Sequence, residues 1–298
     1  MAYKKHIVAF IDILGFKNLV ETSENSLEKC EEIRYILKRF LYITKRKTWK
    51  RAKKLMEIEE DAQKRELSDF YVDNMVKTSS FSDSIIIAIE AEDKINERTS
   101  ALIALLSEIS MELLASGVLT RGAISYGNLY ADKKSNIFYG RALNEAYLLE
   151  STISIFPRII LSDSLVNSLK YPLCTKRDRH PYHQYVRRFN DGLVGISPVI
   201  FLQVMDNAPS VISDSQFYTY LSNIKEAIIS GLDKSFEDKT THEKYLWLMN
   251  CYNKLIILNE NHERYYRKIA SYTDPNGGGN IHYKYINDLY DSYREQLR

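Results

Sequence analysis

Two carboxylates in this sequence stand where they could do chemistry. Asp12 closes the apolar run Ile7-Val8-Ala9-Phe10-Ile11, and Asp83 immediately precedes Ser84-Ile85-Ile86-Ile87-Ala88-Ile89. A carboxylate at the end of a buried strand is costly without a partner. If the two segments are neighbours in one sheet, both carboxylates reach the same edge and can share a divalent ion. Hard oxygen ligands of this kind suit magnesium or manganese. Metal held there would polarise a phosphoryl group and activate an attacking oxygen. The competing reading is that each aspartate only caps a turn. Directly after Asp12, the glycine of Ile13-Leu14-Gly15-Phe16 allows a tight turn whose backbone N–H groups face phosphate oxygens, or else an ordinary strand-to-helix turn.

The elements that must position these groups read as follows. Ile7–Ile11 is short and rich in β-branched residues, which suits a strand buried on both faces. Ser26 caps a helix whose apolar residues Ile33, Ile36, Leu37, Phe40 and Leu41 keep helical spacing. Strands are expected from Phe70-Tyr71-Val72 onward and over Ser84–Ile89, joined by a hairpin turn in Lys77–Asp83. A helix follows from about Ile95 to Ala115, stopped by Gly117. Thr120–Tyr126 reads as a strand closed by Gly127, Asn136–Glu150 as a turn running into a helix, and Pro157–Ser162 as a short strand. The order β-α-β-β-α-β-α-β predicts an α/β sandwich with helices packed on one sheet. Val199–Met205 is expected as one more strand, and Asp214–Leu232 and His242–Leu258 as helices. The division expected is residues 1–205 as a catalytic domain, with a charged helical insertion at about 44–68, and 206–298 as a C-terminal helical extension.

The chain has 298 residues with 45% hydrophobic and 27% charged side chains, enough for a buried core and unlike a disordered chain. With 41 basic against 39 acidic residues the net charge is only +2, which argues against a nucleic-acid wrapper. Cys30, Cys174 and Cys251 lack paired spacing and support neither a disulfide framework nor a zinc site. No apolar stretch reaches the roughly 18 residues of a membrane span, and Asp12 interrupts the first apolar run as a signal peptide would not tolerate. The expected location is cytoplasmic, without stable membrane insertion.

Other features draw bland readings. Lys45–Lys54 carries seven basic residues in ten and is followed by Glu57–Asp61, the pattern of a solvated helix with i,i+4 pairs. Asn276-Gly277-Gly278-Gly279-Asn280 reads as a flexible connection, His180-Pro181-Tyr182-His183 as a surface loop, and the tyrosines from Tyr265 to Tyr293 as helix packing or a dimer contact.

Phe10-Ile11-Asp12-Ile13-Leu14-Gly15-Phe16 resembles the class III nucleotide cyclase signature F-x-D-I-x-G-F. Phe81-Ser82-Asp83 resembles the site of that family's second metal-binding aspartate, and Arg121-Gly122-Ala123-Ile124-Ser125-Tyr126-Gly127 its R-x-G-I-x-x-G strand. Tyr139-Gly140-Arg141-Ala142-Leu143-Asn144, running on to Leu149-Glu150-Ser151, is similar to its W-G-D-x-V-N-x-A-x-R-L-E-S helix. These four matches, in the family's order, span roughly residues 7–162. Three positions depart from it. A base-reading lysine is replaced by Ser79, a base-reading aspartate by Arg141, and the transition-state arginine by Leu148, while the asparagine is kept as Asn144. A pocket without the donors and acceptors for adenine or guanine should reject purines. The pattern resembles the bacterial pyrimidine cyclases of Pycsar anti-phage defence.

The resemblance implies a palm domain with a ferredoxin-like βαββαβ core, working as a homodimer with interfacial active sites. It implies two Mn2+ or Mg2+ ions held by Asp12, the Ile13 carbonyl and Asp83, and a triphosphate held by Ile13, Leu14, Gly15 and Phe16. Ser79 and Phe81 fall at nucleotide-binding positions. Asn144, with Arg121 or Arg141 as candidates for the missing arginine, would come from the other protomer. The reaction implied is conversion of UTP or CTP to a 3′,5′-cyclic monophosphate and pyrophosphate, with uridylate preferred and the product opening a separate effector. The alternatives are a purine cyclase and a cyclase-like nucleotide sensor without activity.

Overall fold

A computed structural model describes residues 3–59, 76–92, 94–132, 135, 137–169, 185–202 and 214–259. The chain divides into two compact units, Met1–Leu221 and Ser222–Arg298. The first is built on a sheet with strands β1 (Lys4–Ile13), β2 (Val76–Phe81), β3 (Ser84–Glu90), β4 (Thr120–Asp132), β5 (Ile137–Tyr139), β6 (Ile159–Leu161), β7 (Arg187–Arg188) and β8 (Val194–Ile196). Its helices are α1 (Phe16–Ser23), α2 (Leu27–Glu59), α3 (Ile95–Leu114), α4 (Arg141–Thr152) and α5 (Asp163–Ser168), while α6 (Asp214–Lys234) crosses into the second unit. The sheet order is β2-β3-β1-β4-β6-β8-β7, with β5 paired to β4. β1 is antiparallel to both β3 and β4, and β2 to β3. A β-α-β-β-α-β chain laid out as β2-β3-β1-β4 is the ferredoxin-like arrangement, so the expected mixed α/β core is present.

Alternation along β1 explains the layers. Ile7, Ala9, Ile11 and Ile13 join one buried cluster with Ile85, Ile87 and Ile89 of β3, Phe40 and Ile43 of α2, and Leu102, Ile103, Leu105 and Leu106 of α3. On the opposite face Val8 packs with Ala88, Leu129 and Ala142, the last from α4. Both faces of β1 are therefore covered, as its continuous apolar run requires.

Helix punctuation follows the sequence closely. Ser26 accepts from the Lys29 N–H at 3.3 Å. Gly117 takes φ +77°, and Val118 N–H donates back to the Leu113 carbonyl at 2.9 Å, ending α3.

Several expectations need correcting. Residues 76–81 are strand, so the turn of the first hairpin shrinks to Ser82-Asp83, with Phe81 paired to Ser84 and Ser82 at φ +53°. The polar sequence Lys77-Thr78-Ser79-Ser80 is tolerated because β2 is an edge strand. Gly127 does not close β4. It lies inside the strand, where the Ala142 side chain approaches the position of a Cβ to 3.6 Å. Val199–Met205 is not a strand as far as it is described: Pro198 and Val199 form a turn and Ile200–Leu202 are helical, and the strand beside β6 is instead Val194–Ile196, with Arg187–Arg188 at the edge. Phe16–Ser23 is a helix that the polar sequence concealed. The expected charged insertion begins as an unbroken continuation of α2 to Glu59. The segments 60–75, His180–His183, Asn276–Asn280, Cys174 and the tyrosines from Tyr265 onward lie outside the described residues.

In the second unit α7 (Lys239–Asn259) begins after Asp238, whose carboxylate accepts from the N–H groups of Thr240 at 3.1 Å and Thr241 at 3.3 Å. Among the described residues no helix is long and apolar enough to cross a membrane. Cys30 and Cys251 are thiols, and Cys30 Sγ donates to the Ser23 carbonyl at 3.4 Å.

Candidate active site

The register of three strands assembles the site. Asp12 stands directly opposite Ser84 of β3 on one side and Arg121 of β4 on the other. Residues opposite one another in antiparallel strands project to the same face, so Ser84, Asp12 and Arg121 form one row across the sheet edge. The Ser84 hydroxyl donates to Asp12 Oδ1 at 3.0 Å. Arg121 Nη2 lies 3.7 Å from Asp12 Oδ2. Asp83 sits in the two-residue turn leading into β3, and its carbonyl accepts the Ile13 N–H at 3.3 Å, which ties the turn to the end of β1. The two aspartates that sequence spacing singled out are thus brought to one edge.

Burial and neighbouring carboxylates shape the electrostatics of Asp12. Burial, then the charge of Asp83, then that of Glu150, push the Asp12 carboxyl from an ordinary 3.8 up to about 7. Glu150 is itself raised, first by burial, with Arg121 acting in the opposite sense. Arg121 Nε lies 2.6 Å from Glu150 Oε1, an ion pair in which the N–H is not aimed at the oxygen. Glu150 is the residue that sequence reasoning passed over, although it carried a signal. On α4 the buried positions are Ala142, Ala146 and Glu150, an i, i+4, i+8 stripe ending in a carboxylate that had to have a partner.

The predicted residues around this row separate into groups. Gly15 takes φ +84° and precedes α1, a left-handed conformation that glycine adopts without strain. The Ile13 N–H is committed to Asp83 and the Leu14 N–H to the Leu119 carbonyl at 2.9 Å. Those two amides are therefore not donors for phosphate, and a backbone cradle narrows to Gly15 and Phe16. Ser79 is half-buried on β2 and shares a cross-strand row with Ile86 and Phe10, one row in from Asp12 on the same face. Phe10 meets the Tyr147 ring edge-on at 5.4 Å. Phe81 is placed by register only, opposite Ser84. Arg141 and Asn144 are exposed on α4, and Leu148 is 59% exposed one turn beyond Asn144. Arg121, a candidate for supply by a second protomer, is instead paired with Asp12 and Glu150 of its own chain.

The donor set suits a hard divalent cation. Asp12 and Asp83 are mutually repelling carboxylates beside the Ile13 backbone, and among the described residues no group of three or more His, Cys, Asp or Glu is gathered as ligands. Two carboxylates and a carbonyl leave coordination positions for water and phosphate oxygens, which is how magnesium is normally held. The same repulsion sets the pH response of the metal-free protein. Asp12 has a folded-state value raised above its unfolded one, so its contribution is fully present below about pH 4 and lost as pH rises to about 7. Asp12→Asn should therefore gain stability over the parent across that window and hold the gain above it. The gain should reach about 2 kcal/mol, because the Ser84 hydroxyl and residual access to water relieve part of the cost of the charged carboxylate. Thermal melts in EDTA at pH 5, 6, 7 and 8 measure this, and a difference independent of pH would contradict it.

No protein-family description matches the sequence, and no curated protein matches it. Solved structures do. One is the monomeric guanylyl cyclase domain of the RhoGC fusion protein from the aquatic fungus Blastocladiella emersonii, with 17% identity and a TM-score of 0.41 over 66% of this chain and 96% of that one. Another is the guanylate cyclase domain of RhGC from Catenaria anguillulae in complex with GTP, with 17% identity and a TM-score of 0.38 over 65% of this chain and 95% of that one. A third is a class III adenylyl cyclase-like ATP-binding protein from Pseudomonas aeruginosa, with 12% identity and a TM-score of 0.38 over 78% of this chain and 44% of that one.

Proposed function

We propose that this protein is a divalent-metal-dependent nucleotide cyclase that makes a 3′,5′-cyclic pyrimidine monophosphate, UTP being the preferred substrate over CTP. The observation that carries the reading is the pairing of Asp12 and Asp83 at one sheet edge, with Ser84 and Arg121 flanking Asp12 in register. Asp12, Asp83 and the Ile13 carbonyl would hold Mn2+ or Mg2+, which when bound neutralises charge on the triphosphate and lowers the pKa of the attacking hydroxyl. Gly15 and Phe16, at the first turn of α1, would orient the β- and γ-phosphates. The ribose 3′-oxygen would attack the α-phosphorus in line and pyrophosphate would leave.

The pyrimidine reading is supported by Ser79 and Arg141, which stand where the purine cyclases that the sequence resembles carry base-reading lysine and aspartate. We further place Asn144, Arg141 and the exposed side of α4 at a homodimer interface that completes the site, residues 1–205 as the catalytic domain, and the product as a messenger to a separate anti-phage effector. The exposed Leu148 favours one other reading, a nucleotide sensor without turnover, because no arginine stands there to stabilise charge on the transferring phosphorus.

The test is incubation with ATP, GTP, CTP and UTP plus manganese, with Asp12→Ala and an EDTA control alongside and products identified by mass. Cyclic UMP or cyclic CMP from the wild type alone is expected. Cyclic AMP or cyclic GMP would keep the mechanism and refute the pocket argument. No product from any nucleotide, with phage-infected lysate added as activator, would favour the sensor.

A further inference from the structure

We propose that Glu150 is a positioning residue whose buried carboxylate holds the Arg121 guanidinium beside Asp12 without letting it close, so that Asp12 stays open to a cation. This rests on the reading of Asp12 and Asp83 as metal ligands. The unequal distances are its starting point. Arg121 stands opposite Asp12 in the sheet, where cross-strand arginine and aspartate side chains are free to form a bidentate pair. Instead its terminal nitrogen stops 3.7 Å from Asp12 while its Nε is drawn to 2.6 Å from Glu150.

Glu150 prevails because its side chain is 3% exposed and an unpaired buried carboxylate is the costlier one, whereas Asp12 has the Ser84 hydroxyl and retains more access to water. Its position is firm. The Ala142 carbonyl at the start of α4 accepts a hydrogen bond from the buried Ser125 hydroxyl of β4, and Ala142 packs against Gly127. The helix therefore carries Glu150 to a fixed point over the strand that bears Arg121. Arg121 in turn gives the carboxylate group a nearby positive charge before any cation arrives, without occupying the oxygens that a cation needs.

Each charge deletion then has its own sign. Removing the charge of Glu150 frees Arg121 to close on Asp12 and compete with metal. Removing Arg121 removes the competitor. Manganese binding without nucleotide, followed at pH 8 through the electron paramagnetic resonance signal of free Mn2+, reads this apart from turnover. Glu150→Gln should weaken binding about fivefold to tenfold, the scale of one partly exposed ion pair. Arg121→Met should not weaken it, and the double variant should return to the Arg121→Met value. Glu150→Asp, with its shorter reach, should draw the guanidinium away from Asp12 and tighten binding, and it carries the test should Glu150→Gln fail to fold. The proposal is overturned if folded Glu150→Gln binds as the wild type does, if Arg121→Met also weakens binding, or if Glu150→Asp fails to tighten it. Wild-type binding that is absent, or unaffected by Asp12→Asn, overturns the metal site itself and so is distinguishable from failure of the clamp alone.

Discussion

If the protein makes a cyclic nucleotide as proposed, replacing Asp12 or Asp83 with asparagine is expected to lower its formation by about a thousandfold or more, the scale of several kcal/mol of charge stabilisation, while leaving the fold intact. The two substitutions should be equivalent in outcome although the residues are held differently. Asp12 is fixed within the β1–β3–β4 row by Ser84 and Arg121, whereas Asp83 is placed by a two-residue turn whose carbonyl accepts the Ile13 N–H. Asparagine keeps the size and one acceptor oxygen of each side chain while removing its charge. In the metal-free protein that removal relieves repulsion, because Asp12 is pushed up to about 7 by burial and then by Asp83. The variants should thus be at least as stable as the parent in EDTA and lose the stabilisation that manganese gives the parent. Initial rates with saturating manganese, paired with melts in EDTA and in manganese, measure both effects. A variant that keeps a tenth of the parent's turnover would refute the two-carboxylate site, and equal manganese stabilisation of parent and variant would refute its metal.

The extent to which this site was legible in the sequence depends on the kind of contact involved. Asp12 and Asp83 could be read because each adjoins an apolar run, and the order of runs already placed the runs in one sheet. Ser26 and Gly117 could be read because caps and stops are local to the chain. Ser84 as the hydroxyl on Asp12 and Arg121 as its neighbour could not, since both follow from register, and register is fixed by which alternate residues are buried on two other strands. Glu150 was half legible. The Ala142–Ala146–Glu150 stripe demanded a buried partner but could not say that the partner was Arg121. Lys77–Phe81 of the edge strand Val76–Phe81 reads as part of a turn for a related reason. Its polar residues are turn formers locally, and only its place at the end of the sheet makes them acceptable as strand. The Ile13 and Leu14 amides show the same limit, because their engagement by Asp83 and Leu119 is a property of the folded sheet end.

The second large effect lies one strand away from the site. Asp191→Ala is expected to cost about 3 kcal/mol, more than Arg158→Met, although arginine is the larger and more buried residue. The Arg158 side chain is 1% exposed, ion-paired to Asp191 and set between two rings, Phe189 at 4.7 Å and Phe156 at 5.5 Å. Asp191 is 43% exposed. Deleting Asp191 takes one carboxylate away from a buried guanidinium charge, while deleting Arg158 returns Asp191 to water and leaves an apolar side chain among aromatic ones. The cost of Asp191→Ala corresponds to a fall of roughly 6–12 °C in Tm for a domain of this size. It also carries a pH signature. Arg158 holds the Asp191 carboxyl below its ordinary 3.8. The stabilisation is therefore present above about pH 4 and fades as pH falls through the lowered value, so parent and variant should converge in acid. Urea denaturation of both variants at pH 7, repeated for Asp191→Ala at pH 3, tests the order and the convergence; Arg158→Met proving the more destabilising would refute the argument. The consequence reaches the site because the Arg158 carbonyl accepts the N–H of Gly122 at 3.0 Å. Gly122 follows Arg121, so a loosened Arg158 should relax the strand that presents Arg121 to Asp12 and Glu150.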